Sequence, residues 1–225
     1  MYEMCEKYGI PRDAIITIAG TVGVGKSTLT QKLADALDFK TSFEKVDGNP
    51  YLEKYYHDFN RWSFHVKIYF LAERFKEQKR MFQYGGGFIQ DRSVYEDTAI
   101  FARMNYDNGS MSQEDFETYN SLFQAMVMTP YFPHPDLIIY LEGNIDEIVA
   151  RIGERGRQME LETPKEYWYN LHARYEEWIE NFTTAPVLRL NINEYDLVND
   201  EKSLDYILTK IGRVLNTKEK AVKSG

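Results

Sequence analysis

Residues 14–27 read Ala14-Ile15-Ile16-Thr17-Ile18-Ala19-Gly20-Thr21-Val22-Gly23-Val24-Gly25-Lys26-Ser27. The first six are apolar or β-branched with no polar alternation, the pattern of a strand buried on both faces. The next eight match G-x-x-x-x-G-K-[ST], the phosphate-binding loop. Gly20, Gly23 and Gly25 let the backbone curl so that its N–H groups point at phosphate oxygens, and the helix that follows adds its positive N-terminus. Lys26 can reach the β/γ oxygens and the Ser27 hydroxyl can ligate Mg²⁺, while Thr28 carries the motif into the helix. Leu29, Leu33, Ala36 and Leu37 then share one helix face. A buried strand, a phosphate loop and an amphipathic helix in that order predict an α/β fold that binds a nucleotide. They do not separate a kinase from a GTPase or a motor ATPase, although no guanine-reading N-K-x-D sequence is present.

Further strands are expected at Phe88-Ile89-Gln90, Leu137-Ile138-Ile139-Tyr140-Leu141 and Val187-Leu188-Arg189-Leu190, with a short one before Ser42. The stretches between them, near 52–83, 93–128, 144–155 and 164–182, are too long for hairpins and carry helical spacing. Such alternation implies a mostly parallel sheet with helices on both faces. No repeat or Pro/Ser-rich linker divides the chain, so residues 1–217 are expected as one domain and 218–225 as a polar, flexible tail.

Composition narrows the partners. The chain has 225 residues, 27 Lys and Arg against 35 Asp and Glu, and a net charge of −8, which disfavours wrapping a nucleic-acid polymer. One cysteine, Cys5, excludes an internal disulfide or a cysteine-built metal site and suits the cytosol. The charged N-terminal stretch is unlike a signal peptide, and no apolar run is long enough to span a membrane. Aromatics make up 15% of the chain, and nine of them crowd into residues 51–75, from Tyr51 to Phe75. That run suits either a core helix or a base pocket. Lys67 and Arg74, two helical turns apart on one face within it, add the fixed polar groups a stacked nucleobase would need.

Three more groups stand at expected strand ends or helix ends. Glu44 follows a short strand, where it is either a surface acid or a general base for an attacking hydroxyl. Asp91 and Arg92 follow Phe88-Ile89-Gln90; Asp91 can help hold Mg²⁺ and Arg92 can bridge base and phosphates. Arg151, Arg155 and Arg157, with Gly153 and Gly156 among them, read as a solvated helix end or as a lid that closes on phosphate oxygens.

As an ordered set, GTVGVGKST, FEKVDGNPYLEKYYHDF, RWSFHVKIYFLAERFKEQ, QDRSVYEDTAIFA and RIGERGRQMEL resemble the deoxynucleoside kinase family, and within it the bacterial deoxyadenosine/deoxycytidine kinases of the Bacillus type. The likeness runs from about Ile10 to Asp200. It implies a phosphate-loop kinase fold: a five-stranded parallel sheet flanked by helices, with an arginine-rich lid, in a cytoplasmic homodimer that uses ATP, Mg²⁺ and a deoxynucleoside in salvage. By the resemblance, Glu44 is the base for the nucleoside 5′-hydroxyl and Arg92 the arginine beside it. Gly20, Gly23, Gly25, Lys26, Ser27, Thr28, Arg151, Arg155 and Arg157 surround the ATP phosphates, and Ser27 and Asp91 the metal. Tyr56 and Glu160 hold the deoxyribose 3′-hydroxyl, Arg74 and Asp97 contact the base edge, and Phe101 stacks on the base. Asn193-Glu194-Tyr195-Asp196 lies beside the donor adenine.

The chain departs from the family at Lys67, where Gln is usual. Gln both donates and accepts, whereas a charged lysine only donates, which suits O6/N7 of guanine and leaves an adenine or cytosine amino group without its acceptor. Asp97 is expected as the counter-charge to Lys67. Two other readings of the whole are a thymidylate-type monophosphate kinase and a nucleotide switch without transfer chemistry.

Overall fold

The structure is a computed structural model that describes residues 3–43, 48–195 and 200–223. Five strands form one parallel sheet: β1 (Ile15–Ala19), β2 (Lys40–Ser42), β3 (Phe88–Asp91), β4 (Leu137–Glu142) and β5 (Val187–Asn191). The sheet has the five parallel strands expected, and their order is β2-β3-β1-β4-β5. After β1 the chain crosses β3 to reach β2, and after β3 it crosses back over β1 to reach β4. The connections therefore change direction beside β1, and in such sheets ligands settle outside the carboxyl ends of the strands at that point.

Helices pack on both faces. In chain order they are α1 (Glu3–Tyr8), α2 (Lys26–Leu37), α3 (Leu52–His57), α4 (Phe59–Tyr84), α5 (Val94–Glu96), a π-helical stretch (Asp97–Ala102), α6 (Arg103–Asp107), α7 (Gln113–Val127), α8 (Ile145–Arg155), α9 (Gln158–Leu161), α10 (Lys165–Asn181) and α11 (Glu201–Lys223). Ile16 and Ile18 of β1 meet Leu29, Leu33 and Leu37 of α2 in the main core, all wholly buried. Truncating any one of those leucines to alanine would cost about 2–5 kcal/mol. A second cluster, with Leu71, Val94, Ala102, Tyr119 and Phe132, joins α4 to α7. Tyr55, Val66 and Phe70 form a third between α3 and α4.

The helical stretches near 52–83 and 93–128 are each interrupted. Asp58 leaves helical geometry (φ −150°, ψ 88°) and accepts from Arg61 N–H, ending α3 and opening α4. Gly109, at φ +73°, turns the chain after α6, and Ser112 caps α7 through Asp115 N–H. At the other end, α11 continues to Lys223, through most of the stretch expected as a tail, because nothing between Thr217 and Lys223 breaks a helix. Among the described residues no helix is long and apolar enough to cross a membrane.

Candidate active site

The carboxyl ends of β1, β2 and β3 converge. Ile18 pairs with Asp91 and Ser42 with Gln90, so the loop after β1 stands beside the turn after β3. Glu44 follows two residues beyond the end of β2 and lies outside the described residues. Gly23, at φ +83°, has no room for a side chain, since a Cβ there would lie 2.7 Å from Ile152 Cγ1 of α8. Glycine thus serves both the curl of the phosphate loop and its close seat on α8. The Lys26 ammonium donates to the Thr21 carbonyl at 2.9 Å.

Ser27 Oγ donates to Asp91 Oδ2 at 2.5 Å. The other oxygen, Asp91 Oδ1, is buried without a hydrogen-bond partner. A hydroxyl and a carboxylate with a spare oxygen are hard donors of the kind Mg²⁺ takes, completed by phosphate and water rather than by a protein cage. No group of three or more His, Cys, Asp or Glu that could hold a metal ion stands together among the described residues.

Arg92 bends the chain sharply at φ +66°, a conformation that costs a non-glycine residue energy and clusters at functional sites. Its N–H donates to Ile18 O at 3.0 Å, and its guanidinium lies 4.5 Å from the Phe101 ring centre. Ser93 and Glu96 close a reciprocal capping box immediately after it.

A cleft of about 180 Å³ opens from this turn toward α3, α4, the π-helical stretch and α9. Gly23, Lys26, Ser27, Asp91 and Arg92 line its phosphate end; Tyr56, Lys67, Asp97, Phe101 and Glu160 line the rest. Lys67 points into the protein, only 4% exposed, with Nζ 4.5 Å from the Phe101 ring centre and 5.5 Å from that of Phe70. Asp97, expected as the counter-charge to Lys67, instead receives Arg74 Nε at 3.1 Å, while Arg74 Nη1 donates to Asp91 O at 3.1 Å. Arg74 therefore braces Asp97 and is not among the cleft-lining side chains. Part of the aromatic run is core, where Tyr55 and Phe70 pack with Val66, and Tyr55, Tyr56 and Phe70 also line the cleft.

Tyr55, one of the nine aromatics of the 51–75 run, and Tyr167, which the sequence reading did not single out, also line the cleft. Tyr55 donates to Asn105 Oδ1 at 2.8 Å and is hydrogen-bonded to Tyr167. Burial pushes both phenols above their ordinary pKa, so both stay neutral donors. The place of Tyr55 in the aromatic run was legible; Tyr167, and the partners of both, came only with the fold.

The three arginines separate. Arg155 grips Glu160 with Nη2 at 2.6 and 2.5 Å and Nε at 3.1 Å, and Arg157 Nη1 follows at 3.5 Å. Gly156, at φ +70°, ends α8 and lets the chain double back between them. Both arginines line the cleft, whereas Arg151 lines a second groove. That groove runs between α2, β5 and α11 and includes Val24, Gly25, Thr28, Asn193, Glu194 and Tyr195; Asp196 lies outside the described residues. The phosphate loop is thus shared, with Gly23, Lys26 and Ser27 on the cleft and Gly25 and Thr28 on the groove.

The deoxynucleoside kinase family model matches residues 16–216. The chain is 62% identical over 215 residues to the deoxyadenosine/deoxycytidine kinase of Bacillus subtilis (strain 168), covering 96% of this chain and 99% of that one. Among solved structures it resembles deoxyadenosine kinase from M. mycoides with the products dCMP and a flexible dCDP bound. There the TM-score is 0.76 at 32% identity, over 89% of this chain and 100% of that one. The same M. mycoides enzyme with bound dATP gives a TM-score of 0.75, again at 32% identity, over 88% and 98%. The chain belongs to the deoxynucleoside kinase family.

Proposed function

We propose that this enzyme transfers the γ-phosphoryl group of ATP to the 5′-hydroxyl of deoxyadenosine or deoxycytidine, in cytoplasmic nucleoside salvage. One observation carries the reading: the phosphate loop is the common wall of two separate spaces, the cleft and the groove. ATP in the groove places its terminal phosphate at Lys26 and Ser27, and a nucleoside in the cleft brings its hydroxyl to the same place. A nucleotide switch has no use for the second space. A monophosphate acceptor would want a basic cradle at the reacting end, where the sequence instead offers the carboxylate of Glu44 two residues beyond β2.

Glu44 takes the 5′-hydroxyl proton, and Arg92 stands beside the reacting groups. Lys26, Arg155 and Arg157 stabilise the charge that spreads over the transferring phosphoryl oxygens. Mg²⁺, when bound by Ser27 and Asp91, supplies further neutralisation of the β/γ phosphates. Arg151 sits on the donor side. Tyr56 and Glu160 receive the 3′-hydroxyl.

Base choice rests on Lys67 and Asp97 together. Adenine and cytosine share a ring-nitrogen acceptor beside an amino group; Lys67 donates to the first and Asp97 accepts from the second. The carboxylate thereby supplies the acceptor that lysine alone lacks. The name of the 62% identical relative supports that pair of substrates. Donor-only Lys67 also favours a second reading, deoxyguanosine, through O6 and N7.

The apolar side chains Phe82, Leu122, Met128 and Tyr131 are exposed on and beyond α4 and α7. We assign that face to a homodimer, which light scattering on the eluting protein would show as twice 26.5 kDa. The function itself is tested by measuring ADP release with four deoxynucleosides and with their 5′-monophosphates. Turnover with deoxyadenosine or deoxycytidine and none with the monophosphates is expected; the reverse would establish a monophosphate kinase.

A further inference from the structure

Glu96 is wholly buried, 0% exposed, and the chemistry above makes no use of it. Its Oε2 accepts from Ser93 N–H at 2.8 Å and from Ser93 Oγ at 3.2 Å, and its own N–H donates to Ser93 Oγ at 3.3 Å. Its Oε1 accepts from the Tyr175 hydroxyl of α10 at 3.0 Å. A capping box closes equally well with a neutral glutamine, so capping alone does not call for a buried carboxylate. Burying a charge is costly unless other charges compensate it.

The compensation comes from the reaction centre. Among the described residues, the charged and titratable groups that act on Glu96 are Arg92 from the turn before it, Lys26 from the start of α2, Tyr175 from α10 and, opposing, the next residue Asp97. Burial pushes the Glu96 carboxyl above its ordinary pKa, and Arg92 and Lys26 offset part of that rise in favour of the carboxylate. Both cations are themselves buried. Arg92 is also held in left-handed backbone geometry, which persists only where the surroundings enforce it. The enforcing contacts on its C-terminal side are those between Ser93 and Glu96, one residue away.

We propose that Glu96 is a positioning residue: its carboxylate, fixed by Ser93 and Tyr175, holds the Asp91-Arg92-Ser93 turn so that the Arg92 guanidinium is aimed at the transferring phosphoryl group. It acts through Arg92 and does not touch substrate. This rests on the kinase reading and on the place given to Arg92 in it.

Glu96→Gln keeps the size and the capping oxygen and removes the charge. The expected result is a kcat at least tenfold below wild type, a deoxynucleoside KM within threefold, and thermal unfolding within a few degrees of wild type. Arg92→Lys should then cost far less in the Glu96→Gln background than in the wild type, a non-additivity that a merely structural glutamate would not produce. Wild-type kcat in Glu96→Gln, or an equal Arg92→Lys penalty in both backgrounds, would overturn the assignment. Should Glu96→Gln not fold, Tyr175→Phe carries the test. It should lower kcat two- to fivefold at unchanged KM with the same non-additivity, and full activity there would overturn the proposal. A wild type inactive on every deoxynucleoside would defeat the kinase reading and this inference together. An active wild type matched by Glu96→Gln would defeat only the inference.

Discussion

The Ser27 hydroxyl donates to Asp91 across 2.5 Å, joining the phosphate loop after β1 to the carboxyl end of β3. The parallel register of Ile18 with Asp91 makes that contact, and it leaves Asp91 Oδ1 buried and unpartnered. Asp91→Asn should therefore lower kcat by about 10²-fold or more and raise the Mg²⁺ concentration needed for half the maximal rate. A titration of rate against Mg²⁺ checks this; an unchanged midpoint would remove Asp91 from the metal site.

Arg155 and Arg157 converge on Glu160, so the two arginines proposed as a lid and the carboxylate proposed to hold the 3′-hydroxyl form one ion-paired unit. A charge-assisted hydrogen bond contributes about 1.5–3 kcal/mol, so the enzyme should prefer a deoxynucleoside to its 2′,3′-dideoxy analogue by roughly 10- to 100-fold in kcat/KM. Glu160→Gln should erase most of that preference. Retained discrimination in the variant would assign the 3′-hydroxyl to another residue.

Lys67 lies in the cleft beside Phe101, and Lys67→Gln exchanges a pure donor for a group that also accepts. Steady-state rates with four deoxynucleosides should shift, with deoxyguanosine losing most relative to deoxyadenosine and deoxycytidine. Identical profiles for wild type and variant would show that Lys67 does not read the base.

The Arg74–Asp97 pair is almost fully buried, at 4% and 2% side-chain exposure. Asp97→Asn leaves the guanidinium without its charge partner, a change that typically costs about 3–5 kcal/mol. At roughly 2–4 °C per kcal/mol for a chain of this size, Tm should fall by about 6–20 °C. Calorimetry on the ligand-free protein measures it, and an unchanged Tm would mean the pair contributes no net stability.

Three buried tyrosines, Tyr55, Tyr119 and Tyr140, and two half-buried ones, Tyr95 and Tyr167, have phenol pKa values raised by loss of solvent, Tyr95 to about 12. In the unfolded chain they ionise near the ordinary value of about 10. Above that pH the unfolded state binds fewer protons than the folded one, so stability is intact below about 10 and falls as pH rises further. Absorbance of phenolate and circular dichroism should change together in one alkaline transition; phenolate formation well before loss of structure would show the tyrosines to be accessible.

The strand and phosphate loop at 14–27 were legible because a fully buried parallel strand is continuously apolar and the glycine pattern has a single geometric purpose. The helix face shared by Lys67 and Arg74 was legible as well, since both point inward. Which of them takes Asp97 was not, because that depends on how deep along α4 each lies relative to β3: Arg74 also reaches the Asp91 carbonyl. The break at Asp58 was hidden because helical spacing continues through it, and only the extended backbone there reveals a cap. Ser93 and Glu96 do carry the S-x-x-E signature of a capping box, but their burial against Tyr175 is a tertiary fact.

The most direct measurement follows the phosphoryl group. With ATP labelled at the γ-phosphate, Mg²⁺ and deoxyadenosine or deoxycytidine, the label should appear on the 5′-oxygen of the deoxynucleoside monophosphate, and in Glu44→Gln this should stop while nucleoside binding persists. Label released instead as inorganic phosphate, or transferred only to a monophosphate acceptor, would contradict the account.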